Sequence, residues 1–181
     1  MKSINVLCGA FILIAGACSS GISKDAQVVD RIPTEEKNVN YVSNRAPMMP
    51  QQFIKLPTGS IKPDGWLLTQ LQLQKDGLNG HLGEISAWLQ KEDNAWLKAG
   101  GKWGWEEVPY WLRGYAGVAY LFEDKAMLDE AKIWIESILK SQRENGNFGP
   151  SAETKGTQDF WPNMIALWIL QSYHEYTGDA R

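Results

Sequence analysis

Apolar and polar residues follow a helical period from residue 63 onward and predict five helices. The first runs from Pro63, which suits a first helical position, to Asn79-Gly80. A short second helix follows from His81 to Gln90. The third, Val108 to Phe122, is apolar nearly all round, so we expect it to be buried on most sides. The fourth, Lys125 to Glu144, has one apolar stripe and is otherwise charged, as an outer helix is, whereas the fifth, Trp161 to Tyr176, is again apolar all round.

This alternation of helices predicts the architecture. Tyr110-Trp111 and Phe160-Trp161 open the two apolar helices 50 residues apart, with the amphipathic helix between them. Alternating inner and outer helices are typical of an α/α toroid or a helical-pair solenoid. Five helices are only part of such a ring. We therefore expect an all-α fold, a partial (α/α)6 toroid that looks truncated, with half-covered inner helices at its open end.

The amino-terminal segment predicts export. Lys2 precedes a run of 12 apolar or small residues, Val6 to Ala17, which is too short for a bilayer span of about 20 residues and is typical of a signal peptide. Cys18 follows small residues as in a bacterial lipobox, so we expect an acylated Cys18 and a lipoprotein on the periplasmic or outer-membrane face. Ordinary secretion is the alternative. The domains are then a signal peptide at 1–17, the lipidated Cys18 with a flexible tether at 18–44, and the helical domain at 45–181.

Charge and cysteine content exclude several classes of function. The formal net charge is -3, with 18 Lys and Arg against 21 Asp and Glu, so no basic surplus exists to bind nucleic acid. Cys8 and Cys18 are the only two cysteines, and Cys8 lies inside the predicted signal peptide. The mature chain therefore cannot build a disulfide, a cysteine zinc site or a cysteine nucleophile. Two isolated histidines, His81 and His174, make a weak case for any other metal site.

A set of short motifs occurs in a characteristic order between Asn44 and Arg181. They are Phe53-Ile54-Lys55-Leu56-Pro57, Gly65-Trp66-Leu67-Leu68, Asp76-Gly77-Leu78, Gly80-His81-Leu82, Pro109-Tyr110-Trp111-Leu112, Gln142-Arg143-Glu144-Asn145-Gly146, Asp159-Phe160-Trp161-Pro162 and Thr177-Gly178-Asp179. Together they resemble the N-terminal part of glycoside hydrolase family 127-like proteins, the β-L-arabinofuranosidase family that was formerly a domain of unknown function.

The resemblance implies an (α/α)6 barrel followed by β-sandwich domains, and hydrolysis of furanosidic bonds in plant cell-wall glycans. It also implies a retaining mechanism in which a zinc-bound cysteine is the nucleophile and a separate Glu is the acid/base, both in the later half of the barrel. No residue of the mature chain corresponds to these groups, so we expect no catalytic residue here and zinc only in the complete family domain. The chain is then the N-terminal portion of a hydrolase, inactive alone. The alternatives are a non-catalytic glycan-binding lipoprotein and a lipid-anchored scaffold.

Candidate sugar-binding residues lie where the inner helices begin. All nine tryptophans fall between Trp66 and Trp168, a density typical of thick helix packing or of a cleft that stacks on sugar rings. Trp111, Asp159 and Trp161 stand near inner-helix starts, which face the cavity of a toroid. For Asp159 and Trp161 the alternative is that Asp159 caps the helix and Trp161 packs.

Two further candidates precede the third helix. Glu107, beside Glu106 and near Trp103, is placed to orient sugar hydroxyls or to protonate a leaving group. Complementarity to the helix dipole explains the same two carboxylates without chemistry. His81 follows Gly80 as a possible sugar contact, and its alternative is a partly buried structural histidine.

Overall fold

The computed structural model describes residues 37–150 and 159–181, together with residues 28, 30 and 31. The predicted signal peptide, Cys18 and most of the tether lie outside the described residues. Thr34–Arg181 forms one compact unit, which holds all the described helices. These are α1 (Gly65–Asp76), α2 (Leu78–Ile85), a 3₁₀ turn (Ala87–Leu89), α3 (Glu107–Phe122), α4 (Lys125–Lys140) and α5 (Trp161–Thr177). The described chain has no β-strand, only two isolated bridges, so the predicted all-α class is confirmed.

Helix α3 lies at the centre of the core, as predicted. It packs against α1, α2, α4 and α5. Nine of its residues are buried: Val108, Pro109, Trp111, Leu112, Tyr115, Ala116, Val118, Ala119 and Tyr120. A helix with so many large apolar side chains is stable in water only when its neighbours cover it.

Helix α4 is the predicted outer helix. Asp124 caps its start, accepting a hydrogen bond from the backbone N–H of Met127 at 3.0 Å. One stripe faces α3 and is buried: Met127, Ala131, Trp134, Ile135 and Ile138. The helix ends at Lys140, four residues before the predicted end, because the Ser141 hydroxyl bonds to Ile138 O and accepts from Gly149 N. These bonds turn the chain away from the helix axis.

Helix α5 lies parallel to α3. The Arg113 guanidinium sits 4.1 Å from the centre of the Trp168 ring, and Tyr120 stacks on Tyr176 at 4.4 Å, so residues pair in the same order along both helices. Both helices therefore begin at the same end of the domain, with α4 outside them. One face of α5 is buried, but Trp161, Met164, Leu167 and Trp168 are about half exposed. Within the described residues α5 is therefore half covered, which agrees with the expectation for the inner helices.

The bounds of the first two helices differ from those that the sequence predicts. Helix α1 starts at Gly65 rather than Pro63, because Asp64 accepts a bond from the Gly65 N–H at 2.7 Å and caps the helix there. It breaks at Gly77, so Gly80 lies inside α2 instead of ending α1. The predicted end of the second helix is the separate 3₁₀ turn. No residue of α1 is buried, and Trp66 is 78% exposed.

A buried carboxylate near the end of α5 fastens the segment before α1 to the core. The side chain of Glu175 is 1% exposed and accepts hydrogen bonds from Tyr41, from Lys55, and from both the backbone N–H and the hydroxyl of Thr58, the last two at 2.7 Å. Gln171 of α5 donates to the same Tyr41 hydroxyl at 2.6 Å. We call these contacts the Glu175 clasp. Part of the predicted tether, around Tyr41, thus packs on the domain.

The clasp lowers the pKa of Glu175. Burial alone would raise this pKa, but the hydrogen bonds from Lys55, Tyr41 and Thr58 outweigh burial and lower it to about 2. Since the folded-state pKa is depressed, the stabilisation is complete above about pH 5 and is lost as the pH falls toward 2.

Glu175→Gln should lower the free energy of unfolding at pH 7 by about 2–3 kcal/mol, because it leaves Lys55 and Tyr41 without their charged acceptor. Urea unfolding at pH 7 and pH 3 measures this, and the difference from wild type should shrink by about half at pH 3. The control is Asp129→Asn, which removes an exposed Lys125–Asp129 pair and should change stability by less than about 0.5 kcal/mol. Equal losses in the two variants would contradict the clasp.

Candidate functional site

The loop between the 3₁₀ turn and α3 is held by one buried amide. Asn94 is 0% exposed, and its Nδ2 donates to Trp88 O at 3.1 Å and to Gln90 O at 3.2 Å. Its Oδ1 accepts from the Trp96 N–H at 3.1 Å. The buried Trp96 ring adds a bond from Nε1 to Trp105 O at 3.0 Å. Because these polar groups are satisfied inside the loop, residues 88–105 form a fixed wall at the start of α3.

Three clefts surround the 3₁₀ turn. The Glu107 cleft, about 500 Å³, is lined by Leu82, Ser86, Leu89, Glu106, Glu107, Tyr110 and Trp111. The Glu130 cleft, also about 500 Å³, is lined by Gly80, Gly83, Glu84, Leu89, Gln90, Lys91, Glu92, Trp111, Tyr115 and Glu130. The Trp103 cleft, about 470 Å³, is lined by Ala87, Trp88, Gln90, Glu92, Asp93 and Trp103. Neighbouring clefts share residues, so they form one row, and their volumes fall in the range of small-ligand sites.

Trp111 is mainly a core residue with one edge in the clefts. It is 7% exposed, its Nε1 donates to Asn79 O at 3.3 Å, and its ring contacts Tyr115 and Trp134. It nevertheless lines both the Glu107 cleft and the Glu130 cleft. Trp111 can therefore offer a ligand an apolar edge, while its face packs in the core.

Glu107 opens α3 and lines a cleft together with Trp111. Its carboxylate is exposed and accepts a bond from the Glu106 N–H at 3.3 Å. That contact is the one expected of an acidic residue at a helix start, where free N–H groups attract negative charge. The exposed carboxylate still has lone pairs for sugar hydroxyls.

The Glu130 cleft contains groups that the sequence did not single out. Glu130 accepts bonds from Trp134 Nε1 at 2.9 Å and from Lys91 Nζ at 2.7 Å, which fix its carboxylate at the cleft wall. Burial, together with the nearby Glu130 charge, raises the pKa of Tyr115 to about 12, so its hydroxyl stays protonated as a donor. Glu130 lies among the charged residues of an outer helix, and no pattern in the sequence separates it from them.

His81 lies outside the walls of these clefts. It is exposed, and its Nδ1 lies 2.7 Å from Glu84 Oε1, one helical turn away. The alternative of a partly buried structural histidine is therefore wrong. Through Glu84, His81 adjoins the rim of the Glu130 cleft.

Asp159 and Trp161 stand at the start of α5, level with the start of α3. Asp159 Oδ1 accepts a bond from the Trp161 N–H at 3.0 Å, which ties the carboxylate to the first turn of α5. The Trp161 side chain is 49% exposed. The structure thus brings the two helix starts to one end, but Asp159 and Trp161 do not line the cleft that holds Trp111 and Glu107.

Within the described ranges, no group of three or more His, Cys, Asp or Glu side chains is placed to hold a metal ion. The described residues therefore do not fit the zinc site that the resemblance implies. Both cysteines lie outside these ranges. Among the helices described, none combines the length and apolar content needed to cross a membrane.

Gly104 tests the packing of the loop. Its φ is +80°, and a Cβ there would lie 2.6 Å from Asn94 Nδ2 and 2.7 Å from Trp88 O. We expect Gly104→Ala to lower the free energy of unfolding by about 3 kcal/mol, through crowding as well as strain at positive φ. Gly100→Ala is the matched control: its φ is +72° but no atom lies within 4 Å, so only the strain, about 1 kcal/mol, remains. Equal losses in urea unfolding would mean that Gly104 is not crowded.

Comparison with known proteins identifies a family for the chain. The family model for the catalytic domain GH127 of β-L-arabinofuranosidase matches residues 27–181, which include every motif of the resemblance. No curated protein and no solved structure matches the chain.

Proposed function

This chain belongs to the GH127 catalytic-domain family of β-L-arabinofuranosidases, as its ordered motifs predict, and we propose that it is the N-terminal portion of a surface-anchored hydrolase of plant cell-wall glycans. Family membership implies a carbohydrate substrate. The finer proposal is that the substrate carries β-L-arabinofuranoside-like linkages. The single observation that carries it is the family match over residues 27–181.

The geometry at the start of α3 supports a binding role for this part of the family domain. The Glu107 cleft combines an exposed carboxylate with the rings of Tyr110 and Trp111. An apolar wall that carries a few polar groups is the usual composition of a small-molecule site. We assign the binding of sugar hydroxyls to Glu107, and the apolar contact to Trp111 and Tyr110.

We assign secondary roles to the remaining predicted residues. Asp159 and Trp161, at the same end of the domain, would meet a further part of an extended substrate. His81 would hold Glu84, to which it is hydrogen-bonded, at the rim of the Glu130 cleft.

The described residues supply sugar contacts but no metal-ligand group, so we propose that residues 27–181 alone bind substrate and do not hydrolyse it. Zinc, which the resemblance implies for the complete family domain, would then be held by other residues. The alternative is a non-catalytic glycan-binding lipoprotein, which would bind the same sugars without hydrolysing them.

The full chain, incubated with a chromogenic β-L-arabinofuranoside, should release no product, yet calorimetry should detect binding of a β-L-arabinofuranosyl oligosaccharide. Glu107→Gln and Asp159→Asn should each weaken binding by about tenfold, because each removes a charged acceptor, and neither should lower the melting temperature by more than about 2 °C. Asp129→Asn, an exposed residue of α4 that lines none of the three clefts, serves as the control.

The outcomes separate the interpretations. Clear turnover would show that catalytic groups lie within this chain. Unchanged binding by Asp159→Asn, with a loss of stability of about 1 kcal/mol, would make Asp159 a helix cap only. Absence of any glycan binding would refute both the hydrolase and the glycan-binding proposal and leave the scaffold.

Surface anchoring is proposed from the sequence alone. Metabolic labelling with palmitate should mark the wild type and not Cys18→Ala, since the Cys18 thiol is the proposed acylation site. Label on neither protein would refute the anchor and favour ordinary secretion. Label on both would place the lipid on another residue.

A further inference from the structure

Two tryptophans, one within the 3₁₀ turn and one near it, lie largely outside the core. Trp88 and Trp103 are 49% and 44% exposed, whereas Trp96, Trp111 and Trp134 are 7% exposed or less. The rings of Trp88 and Trp103 meet edge to face, with centres 5.8 Å apart and planes at 67°. They therefore form a corner in the lining of the Trp103 cleft.

The backbone fixes this corner. Asn94 binds Trp88 O through Nδ2, and the Ala95 N–H donates to Trp103 O at 2.9 Å. Bonds from Asn94 and from the neighbouring Ala95 thus fix the backbone at both tryptophans, and a Cβ at Gly104 would lie only 2.7 Å from Trp88 O. Because the loop is already ordered, a ligand that binds here would not have to offset the entropy cost of ordering it, and the affinity is higher for that reason.

The polar residues of the cleft select the ligand. Gln90, Glu92 and Asp93 line it beside the two indoles, and no cationic side chain is part of this wall. A hydrogen bond from Lys98 at 2.5 Å lowers the pKa of Asp93, which is therefore an ionised acceptor. Indole faces stack on the C–H face of a sugar ring, and carboxylates accept bonds from hydroxyls. Lys98 and Lys102, which pair with Asp93, are not part of the wall, so the polar groups that line the cleft are mainly acceptors, which favours the hydroxyls of a neutral sugar over the carboxylate of an acidic one.

We propose that the Trp103 cleft is a subsite for one neutral sugar unit of an oligosaccharide, with the ring stacked on Trp103 and its hydroxyls bonded to Glu92 and Asp93. This subsite rests on the carbohydrate substrate of the proposed function, which it deepens by naming a neutral unit. Gln90 and Glu92 also line the Glu130 cleft, so the next sugar unit has a continuous path toward Trp111.

The test titrates the isotopically labelled full chain with a neutral arabino-oligosaccharide and, separately, with an oligogalacturonate. Indole N–H signals in NMR report on each tryptophan, and calorimetry gives Kd. We expect the neutral ligand to shift the Trp88 and Trp103 signals. Trp103→Ala should weaken its binding by about tenfold, Trp103→Phe by less than threefold, and the control Trp66→Ala, an exposed tryptophan on α1, should leave Kd unchanged.

Melting temperatures establish that each variant is folded, and the wild-type signal shifts do not depend on any variant. If the chain binds the neutral ligand but the Trp88 and Trp103 signals stay still, the subsite is refuted while the proposed function stands. Tighter binding of the oligogalacturonate, or equal losses in Trp103→Ala and Trp66→Ala, also refutes it. If the chain binds neither ligand, the subsite and the proposed function are refuted together.

Discussion

The need to bury α3 is the constraint on which the rest of the structure depends. Its large apolar residues lie on most of its circumference, so α1, α2, α4 and α5 must pack around it. At its amino-terminal end part of the cover comes from a 3₁₀ turn and the loop held by Asn94 rather than from a full helix. The three clefts lie there, because a short turn leaves space that a helix would fill. The packing of the core thus decides where a ligand can bind.

Hydrophobic periodicity predicts much of this fold, because burial is what it encodes. The inner α3 and the outer α4 follow directly from their patterns, and Glu106-Glu107 mark the start of α3. The start of α1 and the end of α4 do not follow from the pattern, because side-chain hydrogen bonds of Asp64 and Ser141 set them. The pattern does not show which face of α5 is covered: an apolar sequence indicates how much surface needs to be buried, not whether the described chain buries it.

The site is predicted less completely, because it depends on contacts between distant residues. The sequence places Glu107 and Trp111 at the start of α3, and the structure brings them into one cleft. Glu130 meets Lys91 across 39 residues, and neither residue type at its position indicates that contact. The Glu175 clasp joins residues more than 100 positions apart and likewise has no local signal. Such contacts become visible only once the helices are placed.

The central claim is that carbohydrate binds at the amino-terminal end of α3 and α5. A crystal structure of the full chain with a neutral arabino-oligosaccharide tests it most directly. The account predicts sugar density in the row of clefts around residues 87–90, in contact with Trp103 or with Glu107 and the edge of Trp111. Sugar bound instead at the opposite end of the two helices, against Tyr120 and Tyr176, would contradict it.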